Sequence, residues 1–124
     1  MSKARYRLET IATKMRYIEE IVAEYGTITG ALADEKKGAA AVLMHLTAIA
    51  EQFDKLSKEG EFALLAHFDK QDIKGLHAVR NFIVHDYEGV NLVVMERILR
   101  EKLPPMHRTV DALLAKENND DTDA

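Results

Sequence analysis

The side chains best suited to chemistry lie between residues 80 and 91, in the stretch RNFIVHDYEGVN, which places Arg80, Asn81, His85, Asp86 and Tyr87 within eight positions. A guanidinium stays charged and binds phosphate through two parallel hydrogen bonds, and an imidazole exchanges a proton near neutral pH. Together they match cleavage of an RNA backbone without a metal. In that reaction the ribose 2′-hydroxyl is the nucleophile, and the protein shifts protons and neutralises charge.

The spacing of these residues does not place them all on one helix face. Asn81 and His85 are four residues apart and share a face, whereas Arg80 and Tyr87 share another face roughly 100 to 140° away. A helix that ends near His85 would release Tyr87, and the long side chain of Arg80 can bridge the remaining gap. The alternative interpretation is structural: Arg80 forms a salt bridge, His85 caps a helix C-terminus and Tyr87 packs.

No metal or cofactor site is predicted elsewhere. The chain lacks cysteine, and its five histidines are at least eight residues apart, so none forms the i, i+4 pair of a helical zinc site. The sequence has no glycine-rich phosphate loop and no dinucleotide fingerprint. His45 and His67 lie among apolar residues and are predicted to be buried or boundary side chains.

Length and composition predict one helical globular domain. The 124 residues are 47% hydrophobic and 31% charged, with only two prolines and six glycines. The net charge of −4 resides in the last eight residues, ENNDDTDA, so residues 1–116 are neutral overall. We expect a single domain over residues 1–116 and a disordered acidic tail over residues 117–124. Without cysteine, an apolar leader or a long apolar run, the protein is expected to be cytoplasmic, neither exported nor membrane-spanning.

Apolar residues at helical spacing predict two long helices in the first half of the chain. The first should run from about residue 5 to 25 and end at Gly26. The second should run from about residue 35 to 57, with Asp34 as its N-terminal cap and GTITGALAD as a looser segment before it. The two stripes are Leu8, Ile11, Met15, Ile18, Val22 and Tyr25, and Ala39, Val42, Leu43, Leu46, Ala50, Phe53 and Leu56.

Shorter helices are predicted in the second half. EFALLAHF should be a short helix or turn, and Asp69 or Asp72 should cap the helix that reaches residues 80–85. Asn91 should cap the last helix, and Pro104 and Pro105 should kink or break it. The inward-facing residues of the third helix are predicted to be Ile73, Leu76, Val79, Phe82 and Ile83. The predicted fold is an all-α, up-and-down bundle of four to five helices.

A family resemblance rests on the same stretch. Read as R-x-x-x-x-H-x-Y, Arg80, His85 and Tyr87 match the signature of the HepT-like family of HEPN-domain proteins, and NFIVHDYEGVN resembles that family closely. AVLMHLTAIAEQFDKLS before the signature and REKLPPMHRTVDALL after it are also similar, so the resemblance covers nearly the whole chain. It implies a HEPN-like homodimer that acts as a metal-independent endoribonuclease toxin, with residues of both copies facing a cleft at the dimer interface.

The resemblance also implies site residues and partners. Arg80 would hold the scissile phosphate of an RNA substrate, His85 would act as general acid or base, and Asn81 would orient His85 or contact substrate. The implied antitoxin is an MntA-type nucleotidyltransferase that attaches AMP to Tyr87, adding negative charge and bulk beside Arg80 and His85. No cofactor is implied. Asp86, between His85 and Tyr87, does not break the pattern, and its negative charge would repel RNA.

Two other functions remain open at this point. The chain could be a non-catalytic nucleotide- or substrate-binding partner subunit of a nucleotidyltransferase, in which case the partner would bind and no RNA would be cut. It could also be a purely structural helical dimer. Replacement of Arg80 and His85 would then change little except the melting temperature.

Overall fold

The structure, a computed structural model, describes the fold of residues 2–123 and the side chains of residues 2–116, and all regular structure in this range is helical. The helices are α1 (Lys3–Tyr25), α2 (Ile28–Ala33), α3 (Gly38–Lys58), α4 (Phe62–Leu65), α5 (Lys70–His85), α6 (Leu92–Arg97) and α7 (Leu103–Asp123). The predicted all-α bundle is confirmed. The predicted acidic tail, residues 117–124, lies outside the residues whose side chains are described, so its disorder stays a prediction.

The core of the bundle forms where α3 packs against both α1 and α5, and where α1 also packs against α7. The two apolar stripes predicted for α1 and α3 meet at its centre. Phe53 of α3 is 1% exposed and packs edge-on against Phe68, with ring centroids 5.1 Å apart. The largest fully buried side chains are Leu8, Ile11, Met15, Ile18, Val42, Leu46, Ile49, Phe53, Leu56 and Val110.

The connection between α1 and α3 is more regular than predicted. It contains α2, which begins where the Thr27 hydroxyl accepts a hydrogen bond from the Gly30 N–H at 2.9 Å. Asp34 ends α2 instead of capping α3, and its carboxylate accepts hydrogen bonds from the Tyr25 hydroxyl and the Lys37 N–H. The bond from Tyr25 lowers the pKa of Asp34 and raises that of Tyr25. The cap prediction was wrong because residues 35–37 form a turn after Asp34, and Lys37 is the residue that precedes α3.

Gly38 begins α3 at the place where α2 comes closest to it. A Cβ atom on Gly38 would overlap the carbonyl oxygen of Ala31 and would lie 3.1 Å from the ring of Tyr25. The absence of a side chain therefore permits the close approach of the two helices.

The predicted break at Pro104 and Pro105 does not occur. A π-helical segment, Ile98–Lys102, joins α6 directly to α7, and the Leu103 N–H bonds to the carbonyl of Ile98. Pro104 and Pro105 follow the π-helical segment directly, so the N–H groups that they lack fall where the hydrogen-bond register changes. The wider π turn absorbs the change in hydrogen-bond register, so that α6 and α7 form one continuous helical rod.

Candidate active site

The helix that carries most of the motif is α5, and both of its ends are defined by hydrogen bonds. Asp69 caps its N-terminus, where the carboxylate accepts from the Gln71 N–H at 2.7 Å, as predicted. Leu76 and Ile83 are its two buried residues. The helix ends at His85, because the next residue, Asp86, has an extended φ of −151°.

The turn after α5 takes Tyr87 out of the helix. Residues Tyr87–Gly89 form a 3-10 turn, and the carboxylate of Asp86 folds over Gly89, where a Cβ atom would overlap it. Asn91 then begins α6 by accepting hydrogen bonds from the N–H groups of Val93 at 2.9 Å and Val94 at 3.3 Å. The predicted cap at Asn91 is confirmed. The release of Tyr87 from helical geometry, expected if the helix ended near His85, is also observed.

Arg80 is half-buried and faces α3. Its Nη1 donates to Oδ1 of Asn81 at 3.1 Å, and its Nε lies 3.6 Å from a carboxylate oxygen of Glu51. The salt bridge of the structural interpretation is therefore present, but both side chains retain solvent contact, and such exposed pairs contribute little to stability. The arrangement holds the guanidinium in place and leaves donors available to a ligand.

Within one chain the motif residues fall into separate surfaces. Arg80 and Asn81 line a cleft between α3 and α5, which also contains Asp54 and His77. Tyr87 lines a different groove, formed by residues of α2, α3 and the start of α6. His85 is exposed at the end of α5 and lines neither of these. A single protomer thus brings Arg80 and Asn81 together, leaves His85 exposed one helical turn beyond Asn81, and places Tyr87 in a separate groove.

His85 and Tyr87 are both reachable from solvent. Among the described residues, none forms a hydrogen bond or an ion pair with the imidazole of His85. The Tyr87 side chain is 40% exposed and lies beside Glu88 and Glu35 in its groove. A substrate or a modifying enzyme can therefore reach both side chains without a rearrangement of the core.

An apolar surface extends from the C-terminal part of α5 to the start of α6. We use the name apolar patch for the exposed side chains Phe82, Val84, Leu92, Val93 and Val94. Phe82 and Val94 line a groove of about 260 Å³ between α5 and α6. Phe82 was predicted to face inward, and this was wrong: it is 49% exposed and lines this groove. Apolar side chains that cluster on a surface mark a binding face.

Two neighbours of Arg80 were not predicted from the sequence. Glu51 belongs to α3 and meets Arg80 only in the folded chain, so no local pattern indicates it. His77 precedes Arg80 by three residues and Asn81 by four, and it lines the same cleft. That spacing was a usable signal, because residues three and four apart on a helix are neighbours.

The other histidines have structural environments. His45 is half-buried beside Tyr17, as predicted, and burial, together with Lys14, lowers its pKa. His107 of α7 forms a short contact with Glu19 of α1. His67 is exposed, which contradicts its predicted place at the core boundary, because the single-turn α4 before it buries none of its residues. In the described part of the chain, no three potential metal ligands cluster.

Comparison with known proteins gives one match. A family model described as "Ribonuclease HepT-like" matches residues 11–113, which include all of α5 and the turn after it. No curated protein and no solved structure matches the chain. None of the described helices is both long and apolar enough to span a bilayer. The match covers most of the sequence and contains the motif, so the chain belongs to the HepT-like ribonuclease family.

Proposed function

We propose that this member of a ribonuclease family is a metal-independent endoribonuclease toxin, neutralised when a nucleotidyltransferase antitoxin transfers AMP to Tyr87. The observation that carries the proposal is the placement of Arg80, His85 and Tyr87 around one end of α5, each accessible to solvent. Arg80 supplies a fixed positive charge, His85 supplies a group that exchanges protons, and Tyr87 supplies a hydroxyl that can be modified.

The reaction uses the substrate's own nucleophile. The ribose 2′-oxygen attacks the adjacent phosphorus, a new P–O bond forms, and the bond to the 5′-oxygen of the next nucleotide breaks. One proton leaves the 2′-hydroxyl and another reaches the departing 5′-oxygen, so the products are a 2′,3′-cyclic phosphate and a 5′-hydroxyl. His85 performs one of these transfers, and the guanidinium of Arg80 neutralises charge that develops on the phosphate oxygens.

A homodimer would bring Arg80 of one protomer and His85 of the other together. Arg80 faces α3, whereas His85 projects from the end of α5, close to the apolar patch. A second copy packed on that patch would bury Phe82, Val93 and Val94, the second of which is 75% exposed. His85 of one protomer would then approach the motif of the other, and the cleft at the interface would be the active site.

Transfer of AMP to Tyr87 would block this site by charge and size. The Tyr87 oxygen would attack the α-phosphorus of ATP, pyrophosphate would leave, and the phenolic proton would be lost. The product carries an anionic phosphodiester and an adenosine close to where the RNA phosphate must bind. The exposure of the Tyr87 side chain makes it available as the acceptor.

The test of the nuclease is cleavage of single-stranded RNA by the purified, unmodified protein in the presence of a chelator. We expect 2′,3′-cyclic phosphate ends, and a loss of rate of about 10² to 10⁴-fold for His85→Ala. Arg80→Ala should be similarly impaired. His67→Ala is the matched control, because His67 is exposed but lies outside the motif. Intact RNA after incubation with a folded, unmodified dimer would refute the proposal.

The test of neutralisation is co-expression with a nucleotidyltransferase encoded beside this chain, followed by mass spectrometry. We expect one or more AMP additions located at Tyr87 and a loss of RNA cleavage. Tyr87→Phe should remain unmodified and active, whereas Tyr6→Phe, a change at another exposed tyrosine, should behave as the parent. AMP found at another residue, with Tyr87 unmodified, would contradict this part of the proposal.

A second candidate function follows from the acidic groups at the site. Glu51 already pairs with Arg80, and Asp86 and Glu88 flank Tyr87, an arrangement that reduces attraction for RNA. The chain would then be a non-catalytic partner subunit of the nucleotidyltransferase. In that case the partner would bind to the chain, and the RNA would stay intact with the unmodified protein.

A further inference from the structure

Polar side chains form a line along the outer face of α5. Lys70, Lys74, His77, Asn81 and His85 follow one another at steps of four, three, four and four residues. Residues at this spacing project from the same side of a helix. Four of the five are exposed, and Asn81 is half-buried. The line from Lys74 to His85 extends for about 16 Å along the helix axis.

Part of this line also forms a wall of the cleft between α3 and α5. Lys74, His77 and Asn81 line the cleft on the α5 side, opposite Asp54 and Ser57 of α3. The side chain of Arg80 enters the adjoining part of the same cleft, beside His77. The cleft therefore leads from the motif toward the N-terminal half of α5.

The acidic groups of the cleft already have cationic partners. Asp54 forms an ion pair with Lys58 at 2.9 Å, and Glu51 lies 3.6 Å from Arg80. Among the described residues, no acid pairs with Lys74 or His77. Lys74 thus has an ammonium group that is free to meet an anion, and the imidazole of His77 can donate a hydrogen bond.

We propose that the α3–α5 cleft binds the RNA strand on one side of the scissile bond, with Lys74 and His77 as substrate-binding residues. This inference rests on the proposed ribonuclease function. Arg80 holds the scissile phosphate, Lys74 contacts the phosphate of a flanking nucleotide, and His77, between them along the helix, donates to the strand. Phe82 and Val94 of the apolar patch line a different groove, between α5 and α6, so a second protomer seated there leaves the cleft open to the strand.

The test is the binding of a fluorescent single-stranded RNA to full-length protein that carries His85→Ala, so that the probe stays intact. Lys74→Glu and His77→Ala are added singly. We expect Lys74→Glu to weaken binding by about 10-fold and to reduce the slope of log affinity against log salt by about 0.7, the contribution of one single-strand phosphate contact. His77→Ala should weaken binding with a smaller change in slope. Both residues are exposed, so melting temperatures should change little.

The matched control is Lys36→Glu. Lys36 is also exposed, but it precedes α3, roughly 28 Å along that helix from the Ser57 end of the cleft. A kinetic readout uses the parent with His85 intact: Lys74→Glu should raise KM for a long RNA, whereas Lys36→Glu should leave that KM as it is in the parent. Equal effects of Lys74→Glu and Lys36→Glu would overturn the cleft while the ribonuclease function stood. A parent protein that neither bound nor cleaved RNA would overturn both.

Discussion

α3 and α5 lie side by side in the bundle, but they bury very different shares of their surfaces. Nine of the 21 residues of α3 are buried, compared with two of the 16 residues of α5. α3 is covered by α1 on one side and by α5 on another, whereas much of α5 faces solvent. In this bundle, therefore, the helix that contributes most to the core and the helix that carries most of the candidate site residues are different ones.

The largest expected effect is a difference in stability between alanine substitutions of two phenylalanines, Phe53 in α3 and Phe82 in α5. Phe53→Ala removes a ring that is 1% exposed in the core and should lower the free energy of unfolding by about 3 to 5 kcal/mol. Phe82→Ala, on the half-exposed ring of α5, should cost less than about 1 kcal/mol in the protomer and should weaken self-association instead. Urea denaturation and sedimentation at several concentrations measure the two quantities. Equal losses of protomer stability would break the comparison.

Alanine substitutions of one glycine in α3 and one in α5 are expected to change the stability of the fold in opposite directions. Gly38→Ala places a methyl group against the α2 backbone, and we expect it to destabilise the fold by about 1 to 3 kcal/mol. Gly75→Ala in α5 meets no neighbouring atom within 4 Å and should stabilise the helix by about 0.5 to 1 kcal/mol. Thermal melts of both variants measure the two stability changes. A stabilising Gly38→Ala would mean that α2 moves aside easily.

How much of the fold could be predicted from the sequence depends on how far apart in the chain the interacting residues lie. The stripes of α1 and α3 were predictable because burial on one side of a helix leaves a period in the chain. The caps at Asp69 and Asn91 were predictable because a cap bonds to its near neighbours. The hydrogen bond from Tyr25 to Asp34 and the exposure of Phe82 depend on which helix lies alongside, and that information is not local.

The same distinction applies to the candidate site. Arg80, Asn81, His85 and Tyr87 were identified from type and spacing, and the end of α5 at His85 agrees with the geometry that the motif needed. The placement of Arg80 and Asn81 in one cleft and of Tyr87 in another groove was not predictable, because α3 forms one wall of the cleft and α2 forms part of the other groove. Spacing placed the residues on a helix, and packing determined what each of them faces.

A smaller effect concerns the start of α6, beside the motif. Asn91→Ala removes the acceptor for the N–H groups of Val93 and Val94 and should cost about 1 kcal/mol. Asn91→Asp keeps the acceptor and adds a favourable charge at a helix N-terminus, so it should be close to neutral. Hydrogen exchange should locate the loss in α6, with α3 unaffected. Loss of protection in α3 as well would show that the two regions unfold together.

The smallest expected effect is the pH dependence of stability that His45 of α3 causes. Burial lowers the pKa of His45 in the folded state, so the unfolded chain binds the proton more readily. Stability from this residue is therefore present above the unfolded pKa of about 6.5 and is lost as pH falls from there toward the folded value. His45→Leu should flatten the stability curve between about pH 7 and 5, measured by urea denaturation.

The pH dependence expected for His45→Leu needs a control at a second histidine. His67→Leu changes an exposed histidine and should leave the slope of stability against pH as it is in the parent. The contribution of His45 is the difference between the two curves, because both variants retain the remaining ionisable groups. Stability that rose in the parent as the pH fell from 7 to 5, but not in His45→Leu, would reverse the sign and contradict the assignment.

The unbroken rod from α6 through Ile98–Lys102 into α7 has a mechanical consequence for the surface beside the motif. α7 packs along α1, so α6 is attached without a flexible loop to a helix that the core holds firmly. Val93 and Val94 can therefore shift only if the rod bends at its π-helical turn or tilts against α1. A surface stiffened in this way loses little conformational entropy when another molecule docks on it, and its shape before docking already resembles its shape afterwards.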